Sequence, residues 1–470
     1  MTSIHSKIRE RLTTIESMLP IVSVSTIGSI IQWFDFYLYS FLSVTVFPAV
    51  FFPRLDAFAG IIASFGASFV GFAARPLGAA FFGWFGDRMG RQSTLVATLL
   101  LIGSATMLMG ILPDYATLGI AAPILLTILR FLQGIGVGGE WGGATLLVME
   151  YSDDRHRGFW TSWPQAGVPI GLGLATVAML LFKSLYPGEA YQAVGWRIPF
   201  LLSPMLLLVG FYIRLRIPET PLFVHVQATK QEAKAPLLDV FRYYWREVLL
   251  SALLRSGDQA PFYLFTSFVI SYGVGTLKLA PELLYIGLSI AALIEVPLMP
   301  VFGMISDRFG RKRCYLIGCA MTASLVLPYF WLLNTRNIGL VMLAIILSLA
   351  ICHASLYAPQ AALIAERFST KIRYTGASLG FQLSSLTAGG PAPIIATYLL
   401  VNQTRLAPGL PAYVLIAGYI IVMSIISFTA VLPLKEYAGL APAESEAHTQ
   451  GNRAVEPLTT SPTGTTTAEN

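Results

Sequence analysis

Apolar residues run along this chain in long blocks, separated by short clusters of glycine, proline and charged residues. A block able to cross a bilayer as a helix needs about 20 residues. Read on that scale, the blocks predict membrane-spanning helices at 20–45, 57–85, 93–112, 118–149, 159–183, 197–217, 246–272, 282–305, 314–333, 338–363, 374–401 and 411–433, numbered spans 1 to 12 below. Several exceed a straight crossing and many contain Gly or Pro, so tilted or kinked helices follow.

The longest interior polar segment, 218–245 (PETPLFVHVQATKQEAKAPLLDVFRYYW), divides the spans into two sets of six. The predicted layout is an N-terminal segment 1–19, a first bundle 20–217, the central loop 218–245, a second bundle 246–433 and a tail 434–470. The tail lacks apolar periodicity and is expected to be disordered. The two sets also resemble each other. GWFGDRMGR begins at Gly83 and GMISDRFGR at Gly303, while Glu150 with Arg157 corresponds to Glu366 with Arg373 at nearly the same offset. Two matches at one offset indicate a duplicated six-helix unit.

Composition agrees with many spans and excludes a water-soluble fold. Of the 470 residues 55% are hydrophobic and 12% charged, against about 25% charged in soluble domains. The 31 Lys and Arg exceed the 25 Asp and Glu by six, yet this excess marks topology rather than a nucleic-acid partner. With both termini cytoplasmic, 22 of the 31 basic residues fall on the inside, six on the outside and three within spans, as the positive-inside rule requires. The first 20 residues lack the continuous apolar run of a cleaved leader, so the first span is expected to direct insertion. Cys314, Cys319 and Cys352 have no metal-ligand or redox spacing and read as reduced core residues. No nucleophile elbow, zinc-protease helix or phosphate loop occurs, which argues against an enzyme and against direct ATP drive.

Charge inside the hydrocarbon region is the strongest chemical signal. Asp35, Arg75, Arg130, Glu140, Arg255, Asp258 and Glu295 all fall within spans. Each costs about 2.5 to 3.5 kcal/mol on insertion scales and should face a partner or a wet cavity. Arg255 and Asp258, three apart, share one helical face and can pair. The guanidinium forks of Arg75, Arg130 and Arg255 suit a substrate carboxylate. Asp35, mid-span among the aromatics Trp33, Phe34 and Phe36, is the leading proton site, followed by Asp258 and then Glu140. Glu140 reads equally as a structural pair within a glycine-rich contact, and Glu295 as either a second proton carrier or a buried hydrogen-bond partner. His353 titrates in the right range but also fits a satisfied interhelical bond. Gln32, Tyr37, Gln165, Tyr263, Tyr357 and Gln382 are candidate polar lining for a hydroxylated substrate. Phe262 and Phe265, like the span-1 aromatics, read as packing.

The duplicated turn, Gly83, Asp87, Arg88, Gly90, Arg91 in one half and Gly303, Asp307, Arg308, Gly310, Arg311 in the other, resembles the cytoplasmic latch motif of the major facilitator superfamily. Arg130-x-x-Gln133-Gly134 resembles that superfamily's span-4 motif, which is associated with proton coupling. Its continuation GGEWGG, together with QWFDFYLYS, ARPLG, GWRIPFLLS and PETPLF, is similar to the metabolite:proton symporter family over residues 20–433. Arg255 with Asp258, His353 and YTGASLGFQ are most like the shikimate-type branch. In one departure, Gln32 stands where the family generally has an acid three residues before the aspartate, which bears on proton stoichiometry.

The resemblance implies an all-α integral membrane protein of twelve transmembrane helices in two pseudo-symmetric six-helix bundles. It further implies import of a small organic acid or related polar metabolite by alternating access, driven by a proton gradient, without a cofactor, metal or obligate protein partner. The membrane implied is a bacterial or archaeal plasma membrane. A proton-independent uniporter or exporter of the same fold is the alternative, and a transporter-like metabolite receptor a more distant one.

Overall fold

The computed structural model of the chain describes residues 2–203, 208 and 236–439. Most of the expected span 6, the central segment as far as 235 and the tail from 440 lie outside the described residues, as do PETPLF and the Arg91 side chain.

The described chain is helical. Ten of its helices are long and apolar enough to cross a membrane: Met18–Thr45, Ala59–Met89, Gln92–Ile111, Ala121–Tyr151, Arg157–Leu185, Pro281–Phe309, Arg311–Asn334, Ile338–Ala365, Arg373–Val401 and Val414–Val431. These are spans 1–5 and 8–12. Span 6 begins as a helix at 197 and is described to 203. The central segment also holds a short helix, Pro236–Tyr243, where a loop was expected.

Span 7 is present but is not one helix. It runs as Trp245–Leu254, Ser256–Tyr263, a π-helical turn Leu264–Phe268 and Val269–Gly275, interrupted at Arg255. Pro261 has no N–H to give the carbonyl four residues back, which weakens the helix beside that interruption. Span 10 passes through a π-helical turn at Leu347–His353 and span 11 through one at Ser385–Gly389. Such turns recur at functional sites in helical proteins, and these three surround the polar centre described below.

Apolar side chains such as Phe81, Leu293 and Trp331 remain exposed on the outside, as a lipid-facing surface requires. Inside, glycine sets the spacing of spans 2 and 4. A Cβ on Gly134 would lie 2.1 Å from the Gly71 carbonyl oxygen, and one on Gly138 would lie 2.2 Å from that of Arg75. Only a helix without side chains there lets the backbones approach so closely.

The duplicated motif forms two matching turns. Gly90 (φ 106°) and Gly310 (φ 94°) each separate consecutive spans in a conformation that side chains disfavour. Asp87 accepts hydrogen bonds from the backbone N–H groups of Tyr374 (3.3 Å) and Thr375 (3.0 Å) and from the Thr375 hydroxyl (2.7 Å), at the N-terminus of span 11. Asp307 accepts from the N–H groups of Gly158 (2.7 Å) and Phe159 (2.8 Å), at the N-terminus of span 5. Each carboxylate meets the positive end of a helix from the other half. Arg311 ties Asp307 (3.2 Å) to Glu366 (2.7 Å). The side chains of Arg88 and Arg308 play no part in this capping: Arg88 lies over Trp84 and Arg308 over Phe309. At the opposite end Lys183 pairs with Glu282 at 2.5 Å, and Thr176 and Ser289 hydroxyls meet at 2.6 Å. The two halves thus touch at both ends.

Candidate functional site

Between these ends the buried charges form two groups, one in each half. In the first half Asp35 is fully buried on span 1. It accepts hydrogen bonds from Thr106 on span 3 (2.9 Å) and Ser203 on span 6 (2.5 Å). The Thr106 hydroxyl in turn accepts from Gln133 Nε2 at 2.8 Å, and the Gln133 carbonyl oxygen accepts from Arg130. A continuous chain therefore joins Asp35 to the Arg130 guanidinium, which stacks 3.5 Å over the Tyr39 ring. Among the described residues the buried Arg130 Nε has no hydrogen-bond partner.

Arg130, Gln133, Arg75, Gln32, Ser68 and Phe72 line one cavity between spans 1, 2 and 4. Arg75 lies 4.2 Å over the Phe72 ring and donates to the Tyr263 hydroxyl of the other half at 3.4 Å. Among the described residues neither Arg75 nor Arg130 forms an ion pair with a carboxylate. Two cations thus share one cavity wall, with the single acid Asp35 held behind hydroxyls.

In the second half the cation is already committed. Arg255 donates to the Phe381 carbonyl (2.7 Å), Gln360 (2.9 Å) and Ser384 (3.3 Å), lies 3.2 Å over the Phe381 ring and stands 3.7 Å from Asp258. Asp258 accepts from Gln360 at 3.3 Å and stands 3.6 Å from His353, which bonds Glu295 at 2.5 Å. The spacing argument for Arg255 and Asp258 holds, and His353 and Glu295 join the same line of charge.

The remaining candidates separate into three kinds. Gln165 accepts from Trp141 (3.1 Å) and donates to the Tyr357 carbonyl (3.2 Å), and Gln382 donates to the Val137 carbonyl (3.2 Å), so both bridge the halves. Tyr37 and Tyr357 bury hydroxyls with no hydrogen-bond partner among the described residues. Tyr37, Trp33 and Phe262 form an aromatic cluster across the halves, with Trp33 and Phe262 rings 5.5 Å apart. Glu140 belongs to neither group: it accepts from Thr98 at 3.0 Å inside the glycine-lined contact of spans 3 and 4.

Sequence reading missed Thr106, Ser203, Gln360 and Ser384 as partners of the buried charges. Nothing distinguishes the three hydroxyls from the many that span helices turn onto their own backbones, and Gln360 carries no motif that marks it. Gln133 was visible in the span-4 motif, and its role as the link to Asp35 was not.

The described chain is thus a helical membrane protein with buried ion pairs between the two ends at which its halves touch. Comparison with known proteins makes this specific. Residues 26–393 match the Major Facilitator Superfamily. The chain is 37% identical over 85% of its length to the inner membrane metabolite transport protein YhjE of Escherichia coli, covering 92% of that protein. It is 36% identical over 79% of its length to the Escherichia coli shikimate transporter (86% of that protein), and 34% identical over 90% to a Salmonella typhimurium proline/betaine transporter (86% of that protein). A solved structure of the proton:xylose symporter XylE superposes with a TM-score of 0.70 at 18% identity, over 92% of this chain and 98% of that one. The chain belongs to the Major Facilitator Superfamily, in its metabolite:proton symporter branch. It is a multi-pass membrane protein and a secondary transporter, not an enzyme.

Proposed function

We propose that this protein imports a small organic acid, of the hydroxylated ring type carried by shikimate transporters, together with protons. The observation that carries this reading is the pair Arg75 and Arg130, which line one cavity and, among the described residues, have no ion-paired acid of their own. A zwitterion brings its own cation and has less use for two uncompensated guanidiniums; a carboxylate meets their forked donors directly. Relatives of similar identity carry names for both kinds of substrate, so the cavity is the discriminating evidence.

In this reading Asp35 carries the coupling proton. Its charge reaches Arg130 through Thr106 and Gln133, so that proton binding and anion binding act on one hydrogen-bonded chain. The bundles 20–217 and 246–433 rock about the central site, joined by 218–245. The capping contacts of Asp87 and Asp307 latch the cytoplasmic end, with both termini on that side of a bacterial or archaeal plasma membrane.

The test is uptake into proteoliposomes under an inward proton gradient, with shikimate, 2-oxoglutarate, citrate, benzoate-type acids and betaine, with and without a protonophore. Gradient-dependent accumulation of a ring acid, reduced in Asp35→Asn, is the expected result. Accumulation of betaine alone contradicts the anion reading. Equilibration without accumulation contradicts coupling, and would tie its loss to the uncharged Gln32, which lines the cavity.

A further inference from the structure

His353 sits at the end of the π-helical turn of span 10, buried between Phe262 (ring centroids 4.3 Å apart) and Tyr357 (4.9 Å). Both of its ring nitrogens face carboxylates. Nδ1 is 2.5 Å from Glu295 Oε1 on span 8, and Nε2 is 3.6 Å from Asp258 Oδ1 on span 7. A neutral imidazole has one N–H and one lone pair. With both acids ionised, one contact would set lone pair against lone pair, unless a further proton resides on the second nitrogen or on the carboxyl opposite it. Among the described residues Asp258 Oδ1 receives no hydrogen bond.

A count of charge reaches the same number independently. Glu295, Asp258 and Arg255, all buried, sum to one negative charge when His353 is neutral. An uncompensated buried charge is expensive, and one proton removes it. The other titratable or charged groups that face the cluster among the described residues are Tyr37 on span 1, Tyr263 on span 7, Tyr315 and the Cys319 thiol, neutral near pH 7, on span 9 and Tyr357 on span 10, with Arg75 of span 2 behind Tyr263. Phenols are neutral near pH 7, and Arg75 belongs to the first-half cavity, so the count stands.

The cluster is also connected to the other half. Phe262, one turn beyond Asp258, packs on Trp33 and Tyr37, and Tyr263 packs on Phe36, Phe72 and Arg75. A change of charge at Asp258 or His353 therefore acts on the broken helix of span 7 that touches the substrate cavity.

We infer that Glu295, His353 and Asp258 form a second proton-carrying site, which loads one proton per transport cycle in addition to the one on Asp35. Loading takes H⁺ from water on the side of uptake and forms one N–H or O–H bond; no electron moves. The inference rests on the proton-symport reading above and adds a stoichiometry to it: two protons per substrate.

The experiment measures the steady-state accumulation of labelled shikimate in proteoliposomes of the full chain, at zero membrane potential and a pH difference of one unit. Two coupled protons hold a ratio of about a hundredfold, one proton about tenfold. The wild type should reach the higher ratio. Glu295→Gln keeps an oxygen for His353 and removes the negative charge that calls for the extra proton, so it should still transport but hold only about tenfold. Asp35→Asn should lose one proton independently, and the double variant should only equilibrate.

A ratio in Glu295→Gln equal to that of the wild type overturns the second site. A wild-type ratio in Asp35→Asn overturns the role of Asp35 and leaves the second site intact. Wild-type equilibration overturns the symport reading itself. The proton can also be counted without substrate or folding risk at Glu295, by nitrogen-15 NMR of histidine-labelled Asp35→Asn protein at neutral pH, with infrared detection of carboxylic acids. An imidazolium at His353, or a neutral ring accompanied by a carboxylic-acid stretch, is expected; a neutral ring without that stretch overturns the site.

Discussion

Replacing Asp87 by Ala removes three hydrogen bonds from the first residues of span 11, two to backbone N–H groups and one to the Thr375 hydroxyl. Loss of a helix N-cap costs about 1 kcal/mol, and removal of a buried negative charge from a helix N-terminus adds up to about 2 kcal/mol. In the proposed latch these contacts are made only while this end is closed, because the freed N–H groups would regain water as the halves part. The loss therefore falls on the closed state. A total of about 2 to 3 kcal/mol shifts the closed-to-open ratio by about 30- to 150-fold. Asp87→Asn keeps one acceptor oxygen without the charge and should shift it less, about 5- to 30-fold.

Pulsed electron resonance between spin labels at Met89 and Phe309 reads this directly. Both positions are exposed and each precedes one of the two matched glycine turns. In a background without Cys314, Cys319 and Cys352, Asp87→Ala should populate a longer distance that Asp87→Asn populates less. Identical distance distributions in all three proteins would refute the assignment of these contacts to closure.

Three further substitutions separate the arginines from each other and the glycine contact from both. Arg130→Gln should raise the KM for the transported acid at least about tenfold, the cost of losing one charge-assisted hydrogen bond, with little change in thermal stability. Arg255→Gln strands Asp258, and should lower the melting temperature more than Arg130→Gln does; a scan of both variants in detergent decides it. Gly138→Ala places a Cβ 2.2 Å from the Arg75 carbonyl oxygen and should destabilise the packing of spans 2 and 4 by about 1 to 3 kcal/mol. An unchanged melting temperature for Gly138→Ala would mean that the two helices separate more easily than this spacing implies.

The spans were legible because a bilayer imposes one length and one polarity on every crossing. The duplicated turns were legible for a different reason: a positive φ demands glycine at Gly90 and Gly310, and a helix end needs an acid at a fixed distance from it. Arg255 with Asp258 could be read from spacing alone, since both belong to one span and Arg255 directly precedes the helix that carries Asp258. The same logic fails once partners come from different helices. Asp35 meets Thr106 and Ser203 from spans 3 and 6, and His353 joins Glu295 and Asp258 from spans 8 and 7. No periodicity along one chain segment encodes such a meeting. The interruption of span 7 was hidden for a similar reason, because Pro261 permits a break but tertiary packing decides whether the helix bends or divides.

The capping at the motif end is exchanged between the halves. Asp87 belongs to the first half and the helix that it meets to the second, while Asp307 and its helix are related the other way round. This is the arrangement of an isologous dimer, in which each subunit gives what it receives, drawn within a single polypeptide. A six-span unit by itself holds both the giver and the receiver of the contact, and each is met only from the other unit. Fusion turns that meeting into an intramolecular one, at an effective concentration set by the connecting segment. Closure of this end is then a first-order event whose extent is independent of how many copies the membrane holds.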